Sequence, residues 1–271
     1  MPVATVNGVE LHYRQTGAGD PLVWVMGTGM NGDAWHRYQV PQFAGRYRCV
    51  TYDLRGSGRS ECPDAPYSAA VMADDLAALL DHLDIASAHF VGFSLGAATV
   101  QELAISRPDR VRSAVLMSTW SSTALEHHVR RHYQARIYAL QHAEDFEVFR
   151  RFAFWMWAPS TVDDRYEDLT GLEKFLGSVS GARDVSGYIG HFAADIAHET
   201  LQRLPQIRCP VLVVHGDEDL ITRPDYNRRV AAAIPGARLA QITGGGHLAF
   251  LEQPEAMNAA IGAFLQGLRE P

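Results

Sequence analysis

Cysteine is scarce in this chain: Cys49, Cys62 and Cys209 are the only three in 271 residues. An odd, scattered set gives no disulfide framework and suits a reducing compartment. Cys49 and Cys209 border apolar runs and read as buried small hydrophobes. A basic block is missing as well. The formal net charge is −7, and the Arg130-Arg131 pair is followed by Glu144-Asp145. The phosphate neutralisation that nucleic-acid binding needs therefore has no source. Residues 1–10 have neither the charged start nor the apolar stretch of a signal peptide. No charge-free window is long enough to cross a bilayer. The expectation is a soluble, cytoplasmic protein with no membrane or nucleic-acid partner. Internal repeats, low-complexity tracts and heptads are absent too.

Apolar residues are plentiful, at 47%, and allow a substantial core. Short apolar or alternating runs at 9–16, 21–26, 47–52, 88–93, 111–117, 211–215 and 238–243 read as strands. Helical patterns lie between most of them, at 34–43, 68–83, 95–106, 225–234 and 254–268, with Ser68 as an N-cap. Alternating strands and helices predict a mostly parallel sheet covered on both faces. Asn7-Gly8 is a hairpin turn signal before the first run and suggests an antiparallel start. Residues 121–200 break the rhythm. They hold no convincing strand and many aromatics: Tyr133, Tyr138, Phe146, Phe149, Phe152, Phe154, Trp155, Trp157, Tyr166, Phe175, Tyr188 and Phe192. A helical segment of this length reads as a lid over the carboxyl edge of the sheet, where open α/β sheets place their ligands.

The chemistry-bearing stretch is Gly92-Phe93-Ser94-Leu95-Gly96. It joins an apolar strand to a small-residue helix, so Ser94 stands at the apex of a sharp turn that exposes its hydroxyl. A serine hydroxyl needs a base to take its proton, and the base needs an orienting carboxylate. His247 follows Thr243-Gly244-Gly245-Gly246, a flexible approach after the last strand. Asp219 lies in His215-Gly216-Asp217-Glu218-Asp219, after the strand before it.

With these residues in the order Ser94, Asp219, His247, the chain resembles the α/β-hydrolase superfamily over nearly its whole length except the lid. The resemblance also rests on Tyr52-Asp53-Leu54-Arg55-Gly56-Ser57-Gly58-Arg59-Ser60, on Cys209-Pro210, and on Gly246-His247 followed by Glu252-Gln253-Pro254. Within the superfamily it is most similar to small bacterial esterases, enol-lactonases and cofactor-free haloperoxidase-type proteins. The resemblance implies an α/β-hydrolase fold: a mostly parallel eight-stranded sheet with helices on both faces and a helical lid. Residues 1–120 and 201–271 would form the core domain and 121–200 the lid. Gly216, Asp219 and Pro224 fit the family spacing for the acid, which leaves Asp217 as a loop-stabilising residue and Glu218 as a solvated charge. The resemblance also places the oxyanion donors at the backbone of Leu95 and, in Met26-Gly27-Thr28-Gly29-Met30, of Thr28. Here the chain departs from the family, which usually has His-Gly where this sequence has Met26-Gly27, so something else must brace that loop.

The function expected is hydrolysis of a carboxylic ester or lactone without a cofactor. The aromatic lid suggests a small apolar or aromatic substrate, with Met30, Trp35, Trp120 and Trp155 as candidate contacts, although aromatics such as Trp35 also serve as core. Arg130, Arg131, Arg136, Arg150 and Arg151 are candidate anchors for a substrate carboxylate. His127, His128 and His132 lack a supporting set of metal ligands and read as an exposed lid face. His215 reads as structural, as does the 53–60 loop, which lacks a P-loop ending. Three alternatives stand beside ester hydrolysis. The same residues serve carbon–carbon bond hydrolysis of a ring-cleavage product or perhydrolysis with haloperoxidase activity. Epoxide hydrolases and dehalogenases need an aspartate where Ser94 stands. A non-catalytic ligand receptor on this fold is the alternative from another class. The oligomeric state expected is a monomer or homodimer.

Overall fold

Apolar runs form strands here because both faces of the sheet are covered. In Asp20–Val25 (β3), Leu22 and Trp24 point into one apolar layer and Val23 and Val25 into the other. The same division holds in Val111–Met117 (β6), where Ala114 and Leu116 face one way and Val115 and Met117 the other. It recurs in Val211–Gly216 (β7), between Val211 and Val213 and Leu212 and Val214. The computed structural model describes residues 2–64, 66–142, 155–179 and 185–268.

The remaining strands are Val3–Val6 (β1), Val9–Thr16 (β2), Tyr47–Tyr52 (β4), Ala88–Phe93 (β5) and Arg238–Ile242 (β8). The eight strands form one sheet in the order β1-β2-β4-β3-β5-β6-β7-β8. β2 is antiparallel to both β1 and β4, and every pairing from β4 onward is parallel. Asn7 and Gly8 turn the chain between β1 and β2 with φ of 48° and 73°, the backbone a two-residue hairpin requires.

Gln39–Phe43 (α1), Ala69–His82 (α2), Leu95–Ser106 (α3), Pro224–Ala233, Ala249–Glu252 and Pro254–Gln266 cover the sheet. Ser68 caps α2, accepting from the Val71 N–H at 3.1 Å. The helix expected over 34–43 is instead a 3-10 turn, Gly32–His36, followed by the short α1. Pro41 has no N–H to offer the Arg37 carbonyl, so one continuous helix cannot form.

Between β6 and β7 the described residues are helical: His127–His142 (α4), Pro159–Asp164 (α5), Tyr166–Val179 (α6) and Val185–Ala197 (α7). The two ends of this insertion are joined where Thr200 donates its N–H to the Ser121 carbonyl at 2.8 Å. A Ser122–Glu199 bridge lies beside that bond. Trp120, Val129, Tyr133, Tyr188 and Phe192 form a third apolar cluster between the insertion and α3. Phe146, Phe149, Phe152 and Phe154, with Arg150 and Arg151, lie outside the described residues. Among the described residues no helix is long and apolar enough to cross a membrane.

Candidate active site

Sheet order decides which loops meet. β3 and β5 are neighbours, so the loop after β3 lies against the turn that follows β5. β7 and β8 are neighbours, so their loops meet as well, at the same carboxyl edge.

Ser94 follows β5 at φ +53° and ψ −117°, immediately before α3. Its N–H donates to the Met117 carbonyl at the end of β6, at 2.9 Å. The turn is so close that a Cβ on Gly96 would stand 2.2 Å from the Val25 carbonyl oxygen. One on Gly92 would stand 2.5 Å from that of Gly96. Glycine at both positions is therefore a steric requirement of this bend.

His247 Nε2 lies 3.2 Å from Ser94 Oγ, and His247 Nδ1 lies 2.9 Å from Asp219 Oδ2. A carboxylate on the Nδ1 side holds the imidazole proton there and leaves Nε2 free to accept from the hydroxyl. The N–H groups of Ile221 and Thr222 donate to Asp219 Oδ1 at 2.8 and 2.9 Å. The Thr222 hydroxyl donates to Asp219 Oδ2 at 2.8 Å. The carboxylate is thus locked before it meets the imidazole. Ser118 donates its hydroxyl to the His247 carbonyl at 3.3 Å, and the Phe93 ring packs 5.0 Å from the imidazole. Ser94, Asp219 and His247 are 2%, 2% and 3% exposed. A hydroxyl, imidazole and carboxylate in line and shielded from water can move a proton from oxygen to nitrogen as the oxygen attacks a carbonyl.

The other two carboxylates of the 217–219 loop are engaged elsewhere. Asp217 accepts from the Gly244 N–H at 2.8 Å and so ties the two loops together. Glu218 departs from the expectation of a solvated charge: it accepts from the Ser160 N–H at 2.9 Å. The reason is local, because the first N–H groups of α5 have no partner inside their own helix. Glu252 accepts from the N–H groups of Gly246 and Ala158 at 2.9 and 2.8 Å, joining the His247 loop to the insertion.

Leu95 opens α3, and its N–H therefore lies at the positive end of a helix dipole. Thr28 stands on the neighbouring loop. Among the described residues, no backbone carbonyl accepts from the N–H of either one. The brace that Met26 cannot supply comes from α7. The Thr28 hydroxyl donates to Asp195 Oδ2 at 2.7 Å. The Gly29 N–H donates to His191 Nδ1 at 3.1 Å, while His191 Nε2 donates to the Arg55 carbonyl at 2.7 Å. Both ring nitrogens are then satisfied by the neutral imidazole, and burial pushes its pKa down to about 4. Gly29 has φ +69°, and a Cβ there would stand 2.1 Å from a ring carbon of Tyr188. Burial pushes Asp195 up to about 8, against the opposing pull of Thr28, Arg136 and Tyr133.

Of the four candidate substrate contacts, Trp120 is fully buried in the cluster that Tyr133 and Phe192 share beside the site. Trp155 is 48% exposed and borders a groove of ≈ 390 Å³ with His128, Asp219 and Leu220. Trp35 is corrected to core: the 3-10 turn directs its indole between Trp24 and Phe250, at 5.2 and 5.0 Å. Met30 is 2% exposed in that same cluster. Arg130 and Arg131 are exposed, whereas Arg136 is 5% exposed with its guanidinium over the Phe192 ring. His132 also differs from expectation. It faces inward, and burial pushes its imidazole down to about 2.

Sequence reasoning named Tyr133 and Tyr188 only among the lid aromatics and passed over His191 and Asp195. Tyr133 is 2% exposed in the cluster with Trp120 and Phe192, and burial raises the pKa of its phenol. Positions 188, 191 and 195 share one face of α7. Polar groups at that spacing within an apolar helix were the available signal.

The fold and this edge of the sheet define an α/β-hydrolase, and the comparisons agree. A family model described as the alpha/beta hydrolase fold matches residues 20–254, and the chain belongs to that family. It is 35% identical over 271 residues to a putative non-heme bromoperoxidase BpoC of Mycobacterium tuberculosis strain H37Rv, covering 96% of this chain and 99% of that protein. It is 29% identical over 264 residues to 3-oxoadipate enol-lactonase 2 of Acinetobacter baylyi, covering 97% and 95%. The solved enol-lactonase of Burkholderia xenovorans LB400 matches with a TM-score of 0.87 at 29% identity, covering 98% of this chain and 100% of that one. The chain is a hydrolase of this family.

Proposed function

We propose that the protein cleaves a carboxylic ester or lactone through an acyl-enzyme on Ser94. The hydroxyl attacks the carbonyl carbon as His247 Nε2 takes its proton. The imidazolium forms next to the Asp219 carboxylate, which stabilises it. The carbonyl oxygen gains charge at the Leu95 and Thr28 N–H groups, where a single donor is worth about 3 kcal/mol. His247 then passes the proton to the leaving oxygen. A water then gives a proton to His247 as its oxygen bonds to the acyl carbon, the bond from that carbon to Ser94 Oγ breaks, Oγ takes the proton back from His247, and the carboxylic acid leaves. The insertion acts as a lid whose Trp120, Tyr133 and Phe192 favour a small apolar or aromatic acyl group.

The single observation that carries this reading is the line of contacts from Ser94 Oγ to His247 Nε2 at 3.2 Å and from His247 Nδ1 to Asp219 Oδ2 at 2.9 Å. The test is a substrate panel run in one buffer: p-nitrophenyl esters, lactones, a coloured dienoate, and bromination with hydrogen peroxide in acetate. Ester or lactone turnover should dominate and disappear in Ser94→Ala. Dominant bleaching of the dienoate, peroxide-dependent bromination without ester turnover, or full ester turnover in Ser94→Ala would each refute it.

A further inference from the structure

The Ser94–His247–Asp219 line makes no use of Asp195, a carboxyl fully buried on α7. Its Oδ2 accepts from the hydroxyl of Thr28, the residue whose N–H faces the reacting carbonyl in the reading above. One turn earlier, His191 receives the next N–H of the same loop, from Gly29. Tyr188, a further turn-spacing back, packs on Gly29 so tightly that no side chain fits there. Three side chains on one helical face therefore grip two successive residues of one loop. A carboxyl buried this completely is costly if it serves only packing. Leucine or methionine would fill this place without that cost.

We propose that Asp195 is the positioning residue of the oxyanion hole, holding the Thr28 N–H in register with that of Leu95 and so making the hole depend on the seating of the insertion. This inference rests on Ser94 being the nucleophile. A misplacement of about 1 Å at such a donor lowers turnover about 10²-fold. The carboxyl works best as a neutral acid. Once ionised, it sets a negative charge behind the loop that must receive the developing oxyanion. Arg136 and Tyr133 face it from α4, and Tyr188 and His191 share its own helix. Of these, the Arg136 cation favours ionisation and so pulls against burial, and the buried His191 stays neutral.

The experiment uses the full chain with p-nitrophenyl acetate, a boronic acid as a mimic of the tetrahedral adduct, and the pair Asp195→Ala and Asp195→Asn. Asp195→Ala should lower kcat about 10²-fold with KM little changed, and weaken the boronic acid by a similar factor. Asp195→Asn keeps an acceptor for the Thr28 hydroxyl and should restore most of both. Wild-type kcat should fall above a pH of about 8, and that limb should vanish in Asp195→Asn. If Asp195→Ala does not fold, Thr28→Val against Thr28→Ser poses the same question from the loop side. Full kcat and boronic-acid affinity in Asp195→Ala or Thr28→Val overturns the proposal. So does an Asp195→Asn variant as impaired as Asp195→Ala. Fluorophosphonate labelling of wild-type Ser94 separates the two readings: an unlabelled Ser94 removes the nucleophile itself, whereas a labelled Ser94 with a dispensable Asp195 removes only the positioning role.

Discussion

Gly96 carries no functional group, yet the position of the Ser94 hydroxyl depends on it. Its hypothetical Cβ meets the Val25 carbonyl at 2.2 Å, and the atoms nearest to it are all backbone of Val25 and Met26, which leaves nothing flexible to move. Gly96→Ala should therefore destabilise the fold by about 3 kcal/mol, read as a lower urea midpoint with unchanged slope. Asp219 makes the complementary case for chemistry. Asp219→Asn should lower kcat about 10⁴-fold by favouring the wrong imidazole tautomer. Glu218→Gln should keep kcat near wild type, because its contact is with the α5 backbone. Steady-state kinetics on the two variants tests whether Asp219 or Glu218 serves as the acid. If the losses are reversed, the acid has been misassigned.

Helix α7 shows why elements cannot be judged by sequence pattern alone. Its apolar face packs in the insertion, but 188, 191 and 195 serve the loop after β3. His191 also links this helix to pH. Its pKa is lowered on folding from 6.5 to about 4, so the unfolded chain takes up a proton first as pH falls. Stability contributed by the neutral ring is full above 6.5 and declines toward pH 4, by on the order of 3 kcal/mol. Asp195, raised to about 8, works in the opposite sense over this window, so the His191 share of the loss is read by comparing urea unfolding of wild type and His191→Gln at pH 7 and pH 4.5. His198, buried with its pKa near 3, adds to the slope in the same window, so the variant should retain part of it. An acid loss of equal size in His191→Gln would contradict the account.

Much of the core was legible because each parallel strand is buried on both faces and leaves an uninterrupted apolar run. β5, β6 and β7 are examples, as is the serine turn between β5 and α3. The order of the candidate site along the chain was legible for the same reason, since each member follows a strand. What could not be read was side-chain direction. Nothing in the sequence separates Trp35, which a 3-10 turn aims into the core, from Trp120, which stands beside the site. The substitute for the missing histidine was equally hidden. His191 lies far along the chain from Gly29 and reaches it only because the insertion folds back over the sheet.

The whole molecule is a sheet that brings four loops to one edge, with a helical insertion whose ends are stapled at Ser121 and Thr200. Loops after β3 and β5 form one half of the edge and those after β7 and β8 the other. The insertion contributes both apolar surface and the clamp on the 27–29 loop. On the proposed mechanism, turnover depends on how the insertion is seated. Glu252→Ala, which strips acceptors from the buried N–H groups of Gly246 and Ala158, should cost about 3 kcal/mol and lower kcat. Calorimetry and ester turnover measured on one sample check both effects. A variant with wild-type melting and kcat would mean that the seating does not matter. The decisive measurement is direct. The protein is mixed with p-nitrophenyl acetate, quenched in acid within the first turnover, and weighed intact before peptide mapping. The account predicts one acetyl group on the peptide containing Ser94 and none in Ser94→Ala. An acetyl group elsewhere, or turnover in Ser94→Ala equal to wild type, would contradict it.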